Sequence, residues 1–170
     1  MNQRPAETEY ASFNTGYISL VPENDVLPVL RNQIESLRAM AASVAPERET
    51  FRYALGKWTI RELTGHMGDC ERVFGYRAFA IGRGGKEPLP GFDENTFVAS
   101  AGFNQRSLSS LASELIKVRE ANLDFLESIG KDDWTRIGIA NGAAVSVRAL
   151  AYVMAGHVRH HLNILKERYN

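Results

Sequence analysis

The sequence predicts an all-α protein, a four-helix bundle with long connections between its helices. Four stretches repeat apolar residues at intervals of three and four, the spacing that gathers them on one helical face. Residues that stop helices or form turns lie between those stretches. At 170 residues the chain suits one domain with a single core.

Composition narrows the classes of function. A chain with 44% hydrophobic and 24% charged residues reads as globular rather than disordered. Its 20 Lys+Arg against 20 Asp+Glu give zero formal net charge, so a nucleic-acid partner is not expected. The lone Cys70 cannot form an intramolecular disulfide. The N-terminus, MNQRPAETEY, lacks a signal-peptide apolar segment, and no apolar run approaches the ~20 residues of a membrane span. The expectation is a soluble, cytoplasmic protein with no membrane contact. Near-zero net charge removes long-range self-repulsion and permits a homodimer through helix faces.

Residues 1–22 are polar, contain Pro5 and Pro22, and show no sustained period. They are expected to form an N-terminal arm that packs on the domain or stays partly mobile, with residues 23–170 forming the bundle domain. The first helix is expected over residues 23–44, with Leu27, Leu30, Ile34, Leu37, Ala41 and Val44 as its stripe. Pro28 falls in the first turn, where a missing N–H costs nothing, and Pro46 helps to stop the helix. Thr59-Ile60-Arg61-Glu62 is a capping box, so a second helix is expected over residues 60–83, ended by Gly84-Gly85. Residues 86–106 read as a long loop pinned to the bundle by Phe92, Phe97 and Phe103. A third helix follows over residues 107–129, then a connection whose Asn141-Gly142 pair signals a small hairpin. Ser146 is the expected N-cap of a fourth helix over residues 147–168.

The informative residues are the polar ones that interrupt the apolar stripes. With about 100° of rotation per residue, His157 and His161 fall roughly 20° either side of Leu150, at the centre of the fourth stripe. His160 lies at its edge. Two imidazoles at i and i+4 can converge on one transition-metal ion, or they can be satisfied core residues; both readings stay open. On the second helix His66 stands about 60° from Leu63, where it can turn inward and complete a set of three. Asp69, on the same side, either faces solvent or accepts a ring N–H and fixes the tautomer. Glu62 is already explained by the capping box. On the third helix Arg119 and Asn122 fall inside the apolar face. A buried Arg needs an acid, a ligand or a route to solvent. Snorkelling to a bundle end is the first reading, and a pocket for an anionic substrate group the alternative. Cys70, on the second stripe, reads as a core thiol.

At these residues the chain resembles the DinB/YfiT-like superfamily of small four-helix-bundle proteins, many described as metal-dependent hydrolases. The resemblance rests on Gly56-Lys57-Trp58-Thr59-Ile60-Arg61-Glu62 followed by His66, Asp69 and Glu71. It extends through Pro88-Leu89-Pro90-Gly91-Phe92-Asp93 and Val145-Ser146-Val147-Arg148-Ala149-Leu150 to Gly156-His157, His160 and His161. Together these cover residues 24–169. The resemblance implies a divalent transition metal, zinc or nickel, on His66, His157 and His161, with His157/His160 as a competing pair. It also implies a small-molecule substrate, acted on by hydrolysis or by transfer of a low-molecular-weight thiol. The competing expectation is a non-catalytic sensor or scaffold, with core histidines or a structural metal.

Overall fold

The structure, a computed structural model, describes residues 3–169. The outermost ends of the expected arm and bundle domain, residues 1, 2 and 170, lie outside the described residues. Four long helices form the bundle: α2 (Val26–Ser43), α3 (Ile60–Gly82), α5 (Leu108–Ser128) and α7 (Val147–Arg168). Shorter elements join or flank them: α1 (Thr15–Ser19), α4 (Glu94–Ser100), α6 (Lys131–Trp134) and the hairpin β1 (Ile137–Ala140) with β2 (Ala143–Ser146). No helix among the described residues is long and apolar enough to cross a membrane.

The helix starts are set by side chains that satisfy otherwise orphaned N–H groups. Asp25 accepts from the Leu27 N–H, Ser107 from Ser110 and Ser146 from Ala149. The capping box at α3 closes in both directions. The Glu62 N–H donates to Thr59 Oγ1 at 3.0 Å, and the Thr59 N–H to the Glu62 carboxylate at 2.7 Å. Asn104 then bridges the pair, tying the later connection to the start of α3. The hairpin turns at Asn141-Gly142, both with positive φ, as a tight two-residue connection requires.

Two expectations are corrected. The connection at residues 86–106 is not a bare loop, because Asp93 caps the short helix α4 within it. Of its three phenylalanines only Phe103 is buried, over Gly65, where a Cβ would stand 2.5 Å from its ring. Phe92, half-buried, lies under the Arg77 guanidinium of α3 at 5.8 Å and pairs with Phe97, which stays exposed.

The arm packs on the domain, with α1 against α7. Ile18 and Val21 enter the same core as Leu30, Leu150 and Met154. Arg4 donates to the Val21 carbonyl, Arg159 to the Leu20 carbonyl at 2.5 Å, and Arg148 pairs with Glu9. Gly156 lets α1 approach α7 this closely: a Cβ there would stand 2.0 Å from the Tyr17 carbonyl oxygen.

Candidate metal centre

α3 and α7 lie side by side in the interior, and His66 from one meets His157 and His161 from the other. All three are buried. His157 Nε2 is 3.1 Å from His66 Nε2 and 3.0 Å from His161 Nε2, and the three side chains each offer a nitrogen within 4.8 Å of the others. Two stripe residues one turn apart on α7 and one flank residue on α3 therefore converge, as helical phase allows.

Hydrogen bonding alone does not satisfy this cluster. A ring nitrogen carries either one proton or one lone pair, so His157 Nε2 cannot make a well-formed bond to both neighbours. A cation facing three lone pairs satisfies all three. The spacing suits one, because ligands ~2.0–2.1 Å from a metal stand ~3.0 Å apart at 90° and ~3.3 Å at the tetrahedral angle. The protonation state suits it too. Burial lowers the pKa of His66 to about 4 and of His161 to about 3, and it holds His157 well below its ordinary value. Repulsion among the rings deepens the shift for His157 and His161. The imidazoles are therefore neutral at pH 7, the form that ligates metal. The donor set fits a divalent transition metal.

Aromatic rings position the trio. Trp58 lies against His66 with centroids 4.6 Å apart, and its carbonyl accepts from the Tyr169 hydroxyl at 2.7 Å. Tyr17 and Phe74 meet the His157 ring edge-on at 5.3 and 5.6 Å. Cys70 Sγ sits 3.6 Å from His66 Nε2, and burial pushes its thiol pKa up, as befits a core thiol. His161 Nδ1 is buried with no hydrogen-bond partner among the described residues. A cleft of about 260 Å³ opens onto His161, lined also by Tyr53, Lys57, Trp58, Asn95 and Tyr169. A larger hollow of about 630 Å³ between α2 and α7 includes none of the trio.

The other candidates fall elsewhere. His160 is half-buried against Tyr17 and lies 5.0 Å, centroid to centroid, from His161. Asp69 sits 3.9 Å from Arg72, with no hydrogen bond to His66 among the described residues. Arg119 neither snorkels nor lines an anion pocket. It is fully buried, its guanidinium held by both Glu71 oxygens at 2.7 and 2.8 Å and by Gln33 Oε1 at 2.8 Å. Asn122 donates to the same carboxylate at 2.9 Å, so it belongs to this ion pair and not to a pocket. Phase puts Glu71 about 80° from Leu63, at the edge of the apolar face, but does not show that Arg119 is its partner. Trp58, at the position before the α3 cap, had the signal of a hydrophobic staple. Tyr17 and Asn95 had none, because nothing local to an arm or loop says which cleft it reaches.

The sequence model of the DinB superfamily matches residues 30–165. No curated protein sequence matches the chain. Among solved structures, YfiT from Bacillus subtilis, described as a probable metal-dependent hydrolase with an unusual four-helix bundle topology, superposes with a TM-score of 0.75. That match has 14% identity and covers 98% of this chain and 91% of that one. A mycothiol-dependent maleylpyruvate isomerase superposes with a TM-score of 0.65 at 17% identity, over 81% of this chain and 58% of its own. At such identities the likeness is one of fold.

Proposed function

The chain belongs to the DinB superfamily, and from that premise we propose that it is a metal-dependent enzyme acting on a small molecule. The observation that carries this is the convergence of three buried, neutral imidazoles, one of which, His161, lines an open cleft. His66, His157 and His161 are the proposed ligands, and zinc or nickel suits three nitrogen donors. Three protein ligands leave room for an exogenous one, as catalytic sites do and closed structural sites do not. The chemistry such an ion supplies is activation of a nucleophile at neutral pH, a water in a hydrolase or a thiol in a transferase.

Thiol transfer is the better fit of the two. Among the described residues no carboxylate hydrogen-bonds the trio, and a thiol needs less help from a base than water does. The Trp58 ring, half-buried against His66, shields the metal side of the cleft. Hydrolysis is the second reading, favoured by Glu94 on α4, whose charge acts on His66. The sizeable structural likeness to a probable metal-dependent hydrolase and to a mycothiol-dependent isomerase supports both.

Metal analysis of tag-free protein tests the proposal. About one equivalent of zinc or nickel is expected, with a nitrogen- and oxygen-only shell by X-ray absorption. Less than about a tenth of an equivalent after reconstitution refutes it, and four protein ligands would refute the catalytic part.

A further inference from the structure

The cleft that reaches His161 has a chemistry of its own. One wall is aromatic and fixed: Tyr53 and Tyr169 meet edge-on at 5.0 Å, and the Tyr169 hydroxyl holds the Trp58 carbonyl. Trp58 in turn lies against His66, so that wall runs directly to the trio. Two polar groups line the remainder. Asn95 comes from α4, which Asp93 caps and the buried Val98 anchors. Lys57 comes from a tight turn in which its N–H donates to the Ala54 carbonyl at 3.2 Å and Gly56 adopts φ +75°. A side chain at residue 56 would strain that turn, so glycine sets where Lys57 stands. The Lys57 ammonium makes no hydrogen bond or ion pair among the described residues, unlike Arg52, Arg61, Arg72 and Arg148, which pair with Glu62, Glu49, Glu114 and Glu9.

We propose that this cleft is the substrate subsite and that it selects a small aromatic molecule bearing one anionic group. The inference rests on the metal-enzyme reading only for what happens at the inner end; the selection belongs to the cleft. Tyr53, Trp58 and Tyr169 take the ring, while Lys57 and the Asn95 amide take the anion. The reacting atom then faces His161. Volume sets the size: about 260 Å³ lies just below the ~300–1,000 Å³ of sites for drug-sized ligands, enough for a single substituted ring. Charge sets the orientation. Lys57 is the one cationic side chain of the lining, and no carboxylate among the described residues lines the cleft. An anionic end is thus drawn to Lys57.

Calorimetric titration of the full-length, metal-reconstituted protein with benzoate, phenylacetate and the neutral isostere benzamide tests this, with metal content measured on the same samples. At least one carboxylate is expected to bind about tenfold tighter than benzamide, the scale of one charge-assisted contact. Lys57→Met should remove that preference and leave benzamide binding unchanged. Trp58→Leu should weaken all three ligands. Equal affinity for acid and amide overturns the proposal, as does a preference that survives Lys57→Met, which would place the carboxylate on the metal. Absence of saturable binding overturns it too. Protein that takes up no metal but still shows a Lys57-dependent preference retains the subsite and loses the metal-enzyme reading. Metal-loaded protein indifferent to these ligands does the reverse.

Discussion

Arg119 and His157 are both buried polar side chains in one interior, 0% and 3% exposed, and their surroundings treat them differently. Every Arg119 nitrogen has an acceptor: two Glu71 oxygens, Gln33 Oε1, and the Leu30 carbonyl at 3.3 Å. The partners are themselves bonded, Gln33 to the Ala155 carbonyl at 2.7 Å and Glu71 to Asn122. Around His157, by contrast, two more ring nitrogens point at the same atom, and His161 Nδ1 has no partner among the described residues. A closed network holds a bundle together, whereas an open one whose donors share a focus is built for something added later. The difference separates structural polarity from functional polarity better than burial does, since burial is common to both.

The largest expected effect breaks the closed cluster. Glu71→Ala leaves the Arg119 charge buried and unpaired, and should cost about 3–5 kcal/mol in urea or thermal unfolding. Replacing both partners, Glu71→Leu with Arg119→Met, should recover most of that loss, because the desolvation of two charges disappears with them. A Glu71→Ala protein unfolding at the wild-type midpoint would show that the network carries no structural load.

Acid separates the clusters next. The three histidines have pKa values lowered in the folded state, so unfolded chains bind protons that folded ones do not once pH falls below about 6.5. Their contribution is therefore undiminished above that pH and is lost as pH falls toward about 4, the folded value of His66. For metal-free protein the loss between pH 7.5 and 6 should be about 2 kcal/mol, read by denaturant titration at each pH. Bound metal should shift that loss to lower pH. Metal-free stability that is flat from pH 7.5 to 5 would mean the rings titrate alike in both states.

How far the comparison could be read from sequence depends on the range of the signal. The four long helices were legible because each carries its own period and caps: Thr59-Glu62 and Ser146 fix two starts to the residue. His157 and His161 were legible for the same reason, lying on one helix at a spacing that fixes their relative direction. Phase puts His66 only at the edge of a stripe, since which flank turns inward depends on the neighbouring helix. Its place inside the apolar face shows that Arg119 needs a partner, but that partner lies 48 residues away and no local pattern joins them. The helix α4 leaves no period in the sequence because it has only seven residues, although Asp93 before Glu94 is a cap signal.

A smaller effect should fall on the open cluster alone. Gly156→Ala forces a Cβ against the Tyr17 carbonyl, so α1 must move away from α7. The expected cost is about 1–2 kcal/mol, in the range for overpacked sites. Tyr17 packs edge-on against His157, so metal affinity should fall as well, while Arg119 and Glu71, which do not touch the arm, keep their bonds. Metal titration beside thermal unfolding checks both parts. Unchanged metal affinity would show that the arm's packing on α7 is irrelevant to the site.

The smallest effect on stability is also the sharpest test of the comparison. His157→Phe removes a nitrogen that faces two others and puts an apolar ring where Tyr17 and Phe74 already pack edge-on. In metal-free protein at most one imidazole–imidazole hydrogen bond is lost, so stability should change by less than about 1 kcal/mol or should rise. Acid sensitivity should shrink, because one of the three groups that must stay unprotonated is gone. Metal uptake should disappear, since two imidazoles cannot replace three. The same kind of substitution at Arg119 should be costly, because it strands Glu71. If His157→Phe instead destabilises metal-free protein as strongly as Glu71→Ala does, the histidines are holding the bundle together and the two clusters are of one kind.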